Sequence, residues 1–173
     1  PYNLYKVVIA TQTITQLTTD TGSNTHNIEP AWNPGGTQLA FASRKAIGGG
    51  GGTNNSYNLW TYAFSGGALN SVTTDTAAGY DHRQPAYSHD GTLIAHISNQ
   101  PVNGTNSSSY NIWTVNSDGT NAVALTTNTA SGRDSYYPEF SMEDRFIAFS
   151  SSQPITGGGS TPSSTNLWVH DRN

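Results

Sequence analysis

The sequence predicts an all-β protein, a β-propeller whose blades are built from four antiparallel strands, in about three repeats of 53–55 residues. First, a segment that begins with Asn, an aliphatic residue and Trp starts at Asn58, Asn111 and Asn166, with a weaker copy at Asn3. Second, a Thr-Thr pair, a proline followed two positions later by an aromatic residue, and an alanine recur in register with it. Repetition at a fixed period of this length is typical of propellers and solenoids. Third, no run keeps apolar residues at helical spacing, which argues against helices.

The residues inside one period predict four short strands. The run 112–115 is rich in β-branched and aromatic residues, which is typical of a strand. Gly119 then allows the positive φ that a tight hairpin turn needs. Val123 and Leu125 are expected to give the next strand an apolar face, and two more strands are predicted within 138–149. Repeated units of four strands joined by hairpins are the blades of a propeller.

The repeat predicts a single propeller region that spans residues 1–173 and has four parts. Residues 3–18 form an outer strand pair, residues 28–74 and 82–127 form two four-stranded blades, and residues 135–170 form an incomplete blade. Known rings contain about four to eight blades, so three repeats cannot close a ring. We therefore expect either part of a longer propeller or a unit that several copies complete together.

The pattern of Pro-x-aromatic, a Gly-containing turn, aliphatic-Ala-Phe and Asn-Leu-Trp resembles the TolB-like (PD40-type) β-propeller repeat. The matching residues are Pro30, Trp32, Gly35, Gly36, Leu39, Ala40 and Phe41, then Pro85, Tyr87, Asp90, Gly91, Ile94 and Ala95, and then Pro138, Phe140, Ile147, Ala148 and Phe149. The resemblance covers nearly the whole chain and is specific for the repeat type, whereas one fold hosts many functions. The chain departs from the pattern at His96, which stands where the other copies have Phe. It also departs at Glu143 and Asp144, which stand in place of the Asp-Gly turn.

Composition excludes several classes of partner. Charged residues make up 10% of the chain, the net charge is −4, and no basic stripe is present, so nucleic acid is not an expected partner. No apolar run approaches the roughly 20 residues that a membrane helix needs. The absence of cysteine and the abundance of Thr, Ser, Asn and Gly suit an exported bacterial protein. We therefore expect a periplasmic or extracellular location without membrane insertion.

The loops that lead into the innermost strands carry most of the charge in the repeat. In a propeller these loops supply the top face and the central channel, so they predict a polar-ligand site. The candidate residues are His26, Asp81, His82, Arg83, Arg133 and Asp134. The competing interpretation is that these side chains are solvated or stabilise turns. None of the loops has the acidic spacing of a calcium motif, and zinc or manganese would require the fold to bring His and Asp together, so we expect no metal and no cofactor.

Two further sets of residues have a structural and a functional interpretation. Trp60, Trp113 and Trp168 could form a sugar-stacking ladder, but large rings at identical repeat positions more often pack one blade against the next. The segments 44–57, 99–110 and 153–165 are rich in Gly, Ser, Thr and Asn. They are either flexible surface loops or a shared binding surface on one side of the propeller.

The chain consists almost wholly of the repeat and contains no catalytic signature. It lacks the G-x-S-x-G nucleophile motif, the H-E-x-x-H zinc motif and a phosphate-binding glycine loop. We therefore expect no catalytic residues and a non-enzymatic propeller module for protein binding or assembly outside the cytoplasm. Its partner would be another protein or further copies of itself in head-to-tail contact.

The resemblance also implies a rival function from another class. TolB-like blades resemble the propellers of some pectin-degrading lyases, which place a metal and His ligands on the face of the ring. They also resemble the propellers that gate the catalytic domain of serine peptidases. The alternative is therefore the propeller part of a carbohydrate-active lyase, or of a serine peptidase whose catalytic domain is absent from this sequence.

Overall fold

The computed structural model describes residues 1–47, 53–76, 79–153 and 164–173. These residues form strands and turns and contain no helix, so none of them forms a helix able to cross a membrane. The strands are β1 (Tyr5–Val8), β2 (Thr13–Gln16), β3 (Asn27–Trp32), β4 (Gln38–Lys45), β5 (Thr53–Ala63), β6 (Leu69–Ser71), β7 (His82–Tyr87), β8 (Leu93–Ser98), β9 (Asn111–Asn116), β10 (Val123–Ala124), β11 (Ser135–Phe140), β12 (Phe146–Ser151) and β13 (Asn166–Asp171).

The strands form antiparallel sheets in chain order, as hairpin connections require. β3, β4, β5 and β6 make one four-stranded sheet, and β7, β8, β9 and β10 make the next. β11, β12 and β13 make a three-stranded sheet, and β1 pairs with β2 alone. The predicted all-β propeller fold class is therefore confirmed. We call the three larger sheets the first, second and third blades, and β1 with β2 the N-terminal pair.

Some strand lengths differ from the prediction. The segment 44–57 was expected to be a loop, but the β4–β5 hairpin extends into it and Lys45 pairs with Thr53. β10 is only two residues long, and Val123 is 52% exposed, so the predicted apolar face of this strand is wrong at that residue. An outermost strand has one ladder partner and little cover, which explains both observations. Residues 48–52 and 154–163 of the predicted loop surface lie outside the described residues.

Apolar side chains hold neighbouring sheets together because alternate residues of a strand point to opposite faces. The N-terminal pair packs on the first blade through Leu4, Leu17, Leu39, Phe41 and Trp60. The other face of the first blade meets the second through Ala40, Leu59, Val72, Tyr87, Ile94 and Val115. The second blade meets the third through Ala95, Ile97, Ile112, Ile147 and Phe149. Each interior sheet is therefore covered on both faces.

The repeated Asn and Thr join the third and fourth strands of a blade. In the second blade, Asn111 Oδ1 accepts hydrogen bonds from Thr126 Oγ1 at 3.0 Å and from the Asn128 amide at 2.8 Å. Asn111 Nδ2 donates to the Asn128 carbonyl at 2.8 Å, and Thr126 Oγ1 accepts from the Ile112 amide at 2.9 Å. The same four bonds recur for Asn58, Thr73 and Asp75 and for Asn3, Thr18 and Asp20. We call this arrangement the Asn–Thr tie.

A bulge in each innermost strand links one blade to the next. Glu29, Gln84 and Tyr137 precede the strand proline, each has a φ of 55°, and the ladder register shifts beside them. Positive φ is uncommon outside glycine and marks a position constrained by its surroundings. Glu29 Oε2 accepts from the Gln84 amide at 2.9 Å, and Gln84 Oε1 accepts from the Tyr137 amide at 2.8 Å. These side chains therefore bind the equivalent backbone of the following blade.

The Asp144 departure from the repeat also has a structural role. Asp144 has a φ of 57° at the turn position that Gly36 and Gly91 occupy in the other blades. Aspartate tolerates this left-handed conformation better than most residues. Its carboxylate accepts from the amides of His89 at 2.5 Å and Asp90 at 2.8 Å. The turn of the third blade is thereby joined to the turn of the second.

Candidate functional site

One edge of the blades carries all the predicted ligand residues. The innermost strands start there at Asn27, His82 and Ser135. Each of these residues pairs with a serine near the end of the second strand, and that serine pairs in turn with the repeated Asn of the third strand. The loops before the innermost strands therefore lie on this edge, which we call the rim.

The carboxylates of Asp81 and Asp134 bind backbone of the preceding blade. Asp81 Oδ1 accepts from the Tyr57 amide at 2.8 Å, and Asp134 Oδ1 accepts from the Tyr110 amide at 2.8 Å. Tyr57 and Tyr110 occupy equivalent positions just before the Asn–Thr tie. These two predicted ligand residues therefore fasten the loop entering each blade to the blade before it.

Arg83 lies within a stack of aromatic and charged groups. Its Nη2 donates to Glu29 Oε1 at 2.7 Å, and its guanidinium is 5.2 Å from the centroid of the Tyr57 ring. Arg44 lies 4.5 Å from the same ring. Burial opposes the charge of Arg83, but the hydrogen bond and charge of Glu29 raise its pKa above the usual value. The guanidinium is thus held in one orientation on the ring.

Three tyrosines, with rings tilted relative to one another, extend this group of side chains towards the third blade. The ring centroids of Tyr110 and Tyr136 are 5.8 Å apart, and those of Tyr136 and Tyr137 are 6.1 Å apart. Burial, with the nearby charge of Asp81, raises the pKa of Tyr110 to about 12. Burial also raises the pKa of Tyr136, so both phenols stay neutral donors at physiological pH. We call Arg44, Tyr57, Arg83, Tyr110, Tyr136 and Tyr137 the rim cluster.

His26 and Arg133 lie apart from this cluster in their contacts. The His26 ring is 4.7 Å from the Tyr2 ring, and its Nδ1 is buried without a hydrogen-bond partner among the described residues. The Arg133 amide donates to Ser109 Oγ at 3.1 Å. Within the described ranges, neither side chain makes a hydrogen bond or ion pair to another candidate residue. The structure therefore brings together only some of the predicted site.

His82 points away from the rim surface and into the protein. It is 2% exposed, its Nε2 is 2.6 Å from Asp75 Oδ2, and its Nδ1 is 3.2 Å from His96 Nε2. His96 is fully buried, because the first blade covers this face of the second. A cavity of about 180 Å³ adjoins both rings and Asp75. These three residues form a buried polar chain.

A groove at the innermost strands is lined mostly by the bulges. Its volume is about 350 Å³, and its lining residues are Glu29, Pro30, Gln84, Pro85, Ala86, Tyr137, Pro138 and Glu139. Over the described ranges, no group of three His, Cys, Asp or Glu side chains converges where a metal could bind. The arrangement at the rim offers aromatic faces, fixed guanidinium groups and hydrogen-bonding phenols.

The Trp series lies between blades. Trp60 is 5% exposed and Trp113 is 8% exposed, whereas Trp168 is partly buried against the cluster between the second and third blades. Their Nε1 atoms are buried with no hydrogen-bond partner among the described residues. A sugar-binding Trp exposes a ring face, so this placement favours the packing interpretation.

Sequence reasoning missed several residues of the rim. Tyr57 and Tyr110 stand directly before the repeated Asn, and Asp75 follows the Thr-Thr pair. The recurrence of Ser-Tyr-Asn at 56–58 and 109–111 was the available signal. The partners of these Tyr side chains lie more than 20 positions away: the Tyr57 ring contacts Arg83, and the Tyr110 hydroxyl donates to Asp81 Oδ2.

Searches by family model and among curated proteins gave no match. Solved structures do match. TolB from Acinetobacter baumannii superposes with a TM-score of 0.69 at 17% identity, covering 98% of this chain and 35% of TolB. An oligogalacturonate lyase from Vibrio parahaemolyticus gives 0.65 at 17% identity, with coverages of 99% and 45%. A prolyl endopeptidase structure gives 0.67 at 10% identity, with coverages of 98% and 24%.

At these identities the likeness concerns the fold alone. The chain spans less than half the length of each of these proteins. They include a TolB, a lyase and a peptidase, so the fold does not select one activity. The resemblance predicted from the repeat is confirmed at the level of architecture, and the chain has the fold of TolB-like β-propellers.

Proposed function

We propose that this chain is a propeller module that binds protein partners through its rim, catalyses no reaction and acts outside the cytoplasm, in the periplasm or extracellular space. The observation that carries the proposal is the rim cluster. Three features support the proposal: the Tyr and Arg content of this cluster, the likeness to TolB, and a cysteine-free sequence rich in Thr, Ser, Asn and Gly.

The rim cluster has the chemistry of a protein-binding hot spot. Tyr and Arg are enriched among the residues that contribute most to binding energy. Arg83 is already held by Glu29 and Tyr57, so little side-chain freedom is lost when a partner binds. Tyr137, at one end of the stack, is 71% exposed and can contact a partner directly.

The polar groups near the cluster support binding rather than catalysis. Asp81 and Asp134 each use Oδ1 to accept a hydrogen bond from a backbone amide of the preceding blade. His82 is buried between Asp75 and His96, away from the rim surface. These carboxylates and this imidazole therefore have structural partners in place of a substrate.

Peptides selected from a random library on the immobilised protein are expected to bind at the rim. Tyr136 is replaced with Ile, as in the first blade, and Tyr137 with Gln, as in the second. The double variant should bind these peptides about tenfold more weakly or worse. Fluorescence anisotropy with the selected peptides measures this. Met142→Gln is the matched control, because Met142 is 75% exposed on the opposite edge. Equal affinity in both variants, or catalytic turnover that Asp81→Ala abolishes, would contradict the proposal.

A second candidate role, assembly, has its own observation. On the third blade Leu167 is 78% exposed and Val169 is 62% exposed. Leu59 and Thr61, at the equivalent positions of the first blade, are 0% and 2% exposed because the second blade covers them. The third blade therefore presents a face that fits a further blade of the same repeat, from another copy or from a longer chain.

Light scattering of the 173-residue chain is expected to give a mass above the 18.4 kDa of one copy. Burying the face of Leu167 and Val169 contributes about 25 cal/mol per Å² of apolar area. Leu167→Asp should shift the mass towards that of the monomer, whereas Val123→Asp, on an exposed outermost strand, should not. A folded monomer at all concentrations would rule out assembly between copies. If the chain of 173 residues aggregates and a longer chain does not, the covering blade belongs to the same chain.

A further inference from the structure

Asp75, His82 and His96 form a chain of hydrogen bonds from the surface to the core. Asp75 has a side chain that is 34% exposed, and its Oδ2 is 2.6 Å from His82 Nε2. His82 Nδ1 is 3.2 Å from Nε2 of His96, which is fully buried. The chain therefore connects solvent to a buried imidazole through one intervening ring.

The other two blades have no ionisable ring at the positions of His82 and His96. The positions of His82 and His96 hold Asn27 and Phe41 in the first blade, and Ser135 and Phe149 in the third. In the first blade Asn27 Nδ2 donates to Asp20 Oδ2 at 3.0 Å, which is the counterpart of the His82–Asp75 contact. The histidine pair is therefore a replacement that the architecture of a blade does not require.

The pair lies where the first blade meets the second. The cavity of about 180 Å³ beside it is lined by Val72, Thr73 and Thr74 from the end of the first blade and by His82, His96, Gln100 and Val115 from the second. Asp75 and the two imidazoles are its titratable lining groups within the described residues. The first-blade side chains packed on this face, Ala40, Leu59 and Val72, are apolar.

The hydrogen bonds limit where protons can go. An ionised Asp75 can only accept, so the Nε2 of His82 carries a proton. The gap between His82 Nδ1 and His96 Nε2 then holds one proton that the two rings share. A further proton on His96 would create a cation on a ring that is removed from water. Burial and the charge of His82 accordingly hold the pKa of His96 well below the ordinary value of 6.5.

We propose that the His82–His96 pair is an acid-operated latch, which keeps the first and second blades in contact at neutral pH and releases this contact on acidification. The contact opens because the charged form of His96 is stable only where water can solvate it. The latch would make the propeller sensitive to the pH of its compartment, and it does not depend on the proposed binding function.

The direction of the effect follows from proton linkage. The pKa of His96 is depressed in the closed state, so the closed state is favoured above about pH 6.5 and loses that advantage as the pH falls. The hydrogen bond from His82 lowers the pKa of Asp75, whose contribution is lost only below about pH 4. The range between pH 7.5 and 5 therefore isolates the histidine pair.

Hydrogen exchange of the intact chain tests the latch. Exchange is followed at the amides of β8, Thr73 and Thr74 and corrected for its intrinsic pH dependence. The opening equilibrium constant of these amides should rise up to about tenfold for each pH unit below 6.5. The double variant His82→Asn with His96→Phe reproduces the first blade and should abolish this dependence. If that variant fails to fold, His82→Ser with His96→Phe reproduces the third blade and serves the same purpose.

His89→Gln is the control, because His89 is exposed in the β7–β8 turn. It should keep the pH dependence of the unmodified chain. The latch is refuted if the double variant opens with the same pH dependence as the unmodified chain, or if neither shows any dependence. Loss of the dependence in the double variant alone supports it.

Discussion

Replacing Trp60 with Ala is expected to lower the free energy of unfolding by roughly 3–5 kcal/mol. Trp60 is 5% exposed and belongs to the buried cluster with Leu4, Leu17, Leu39 and Phe41. Removing the indole would leave a cavity where the N-terminal pair meets the first blade. Urea denaturation followed by circular dichroism measures the loss, provided that the transition is two-state.

Trp168→Ala is the matched comparison, because Trp168 occupies the equivalent repeat position but is only partly buried. Its effect on stability should be clearly smaller than that of Trp60→Ala. Trp60→Phe should cost less than Trp60→Ala, since the indole N–H has no partner to lose. A loss of sugar binding with a stability change below about 1 kcal/mol would instead support the stacking-ladder interpretation.

Replacing Asn111 with Ala is expected to cost about 2–4 kcal/mol, through hydrogen bonds rather than volume. Asn111 is fully buried, and its side chain satisfies the Thr126 hydroxyl and both backbone groups of Asn128. A buried polar group that loses its partner costs more than the net value of the bond, because water cannot replace the partner. Thermal and urea denaturation of the variant measure this cost.

Asn166→Ala is the control for the Asn–Thr tie. Asn166 starts β13 at the same repeat position, but its side chain has no hydrogen-bond partner among the described residues. The same substitution should therefore change stability by less than about 0.5 kcal/mol. Similar losses at Asn111 and Asn166 would show that the cost comes from strand propensity and not from the tie.

Local sequence chemistry predicted the blades well. Alternating apolar residues and glycine turns determine where a strand runs and where it reverses, and both are read over a few residues. Because the pattern recurs every 53–55 residues, each predicted strand and turn was supported by several copies of the repeat. The exceptions were outermost strands such as β10, which pairs with a strand on one side only. The length of such a strand depends on that neighbour.

The repeated Asn is visible in the sequence, but its structural role is not. The sequence showed that Asn58 and Asn111 recur, but not that each satisfies groups about 15–17 residues further along the chain. Asp81 and Asp134 were predicted as ligand residues from their charge, and the structure adds that their carboxylates accept backbone amides 24 residues away. Charge alone does not reveal a hydrogen-bond partner.

The sequence by itself determined the fold class, because strand and turn preferences act locally and the repeat carries them from one blade to the next. Only the tertiary structure decided which side chains meet. The bulges at Glu29, Gln84 and Tyr137 and the curvature of the blades bring Arg83 onto Tyr57 and bury His96 beside His82. Such encounters depend on backbone twist and blade spacing over 14 to 55 residues, and no local pattern of amino acids encodes those distances.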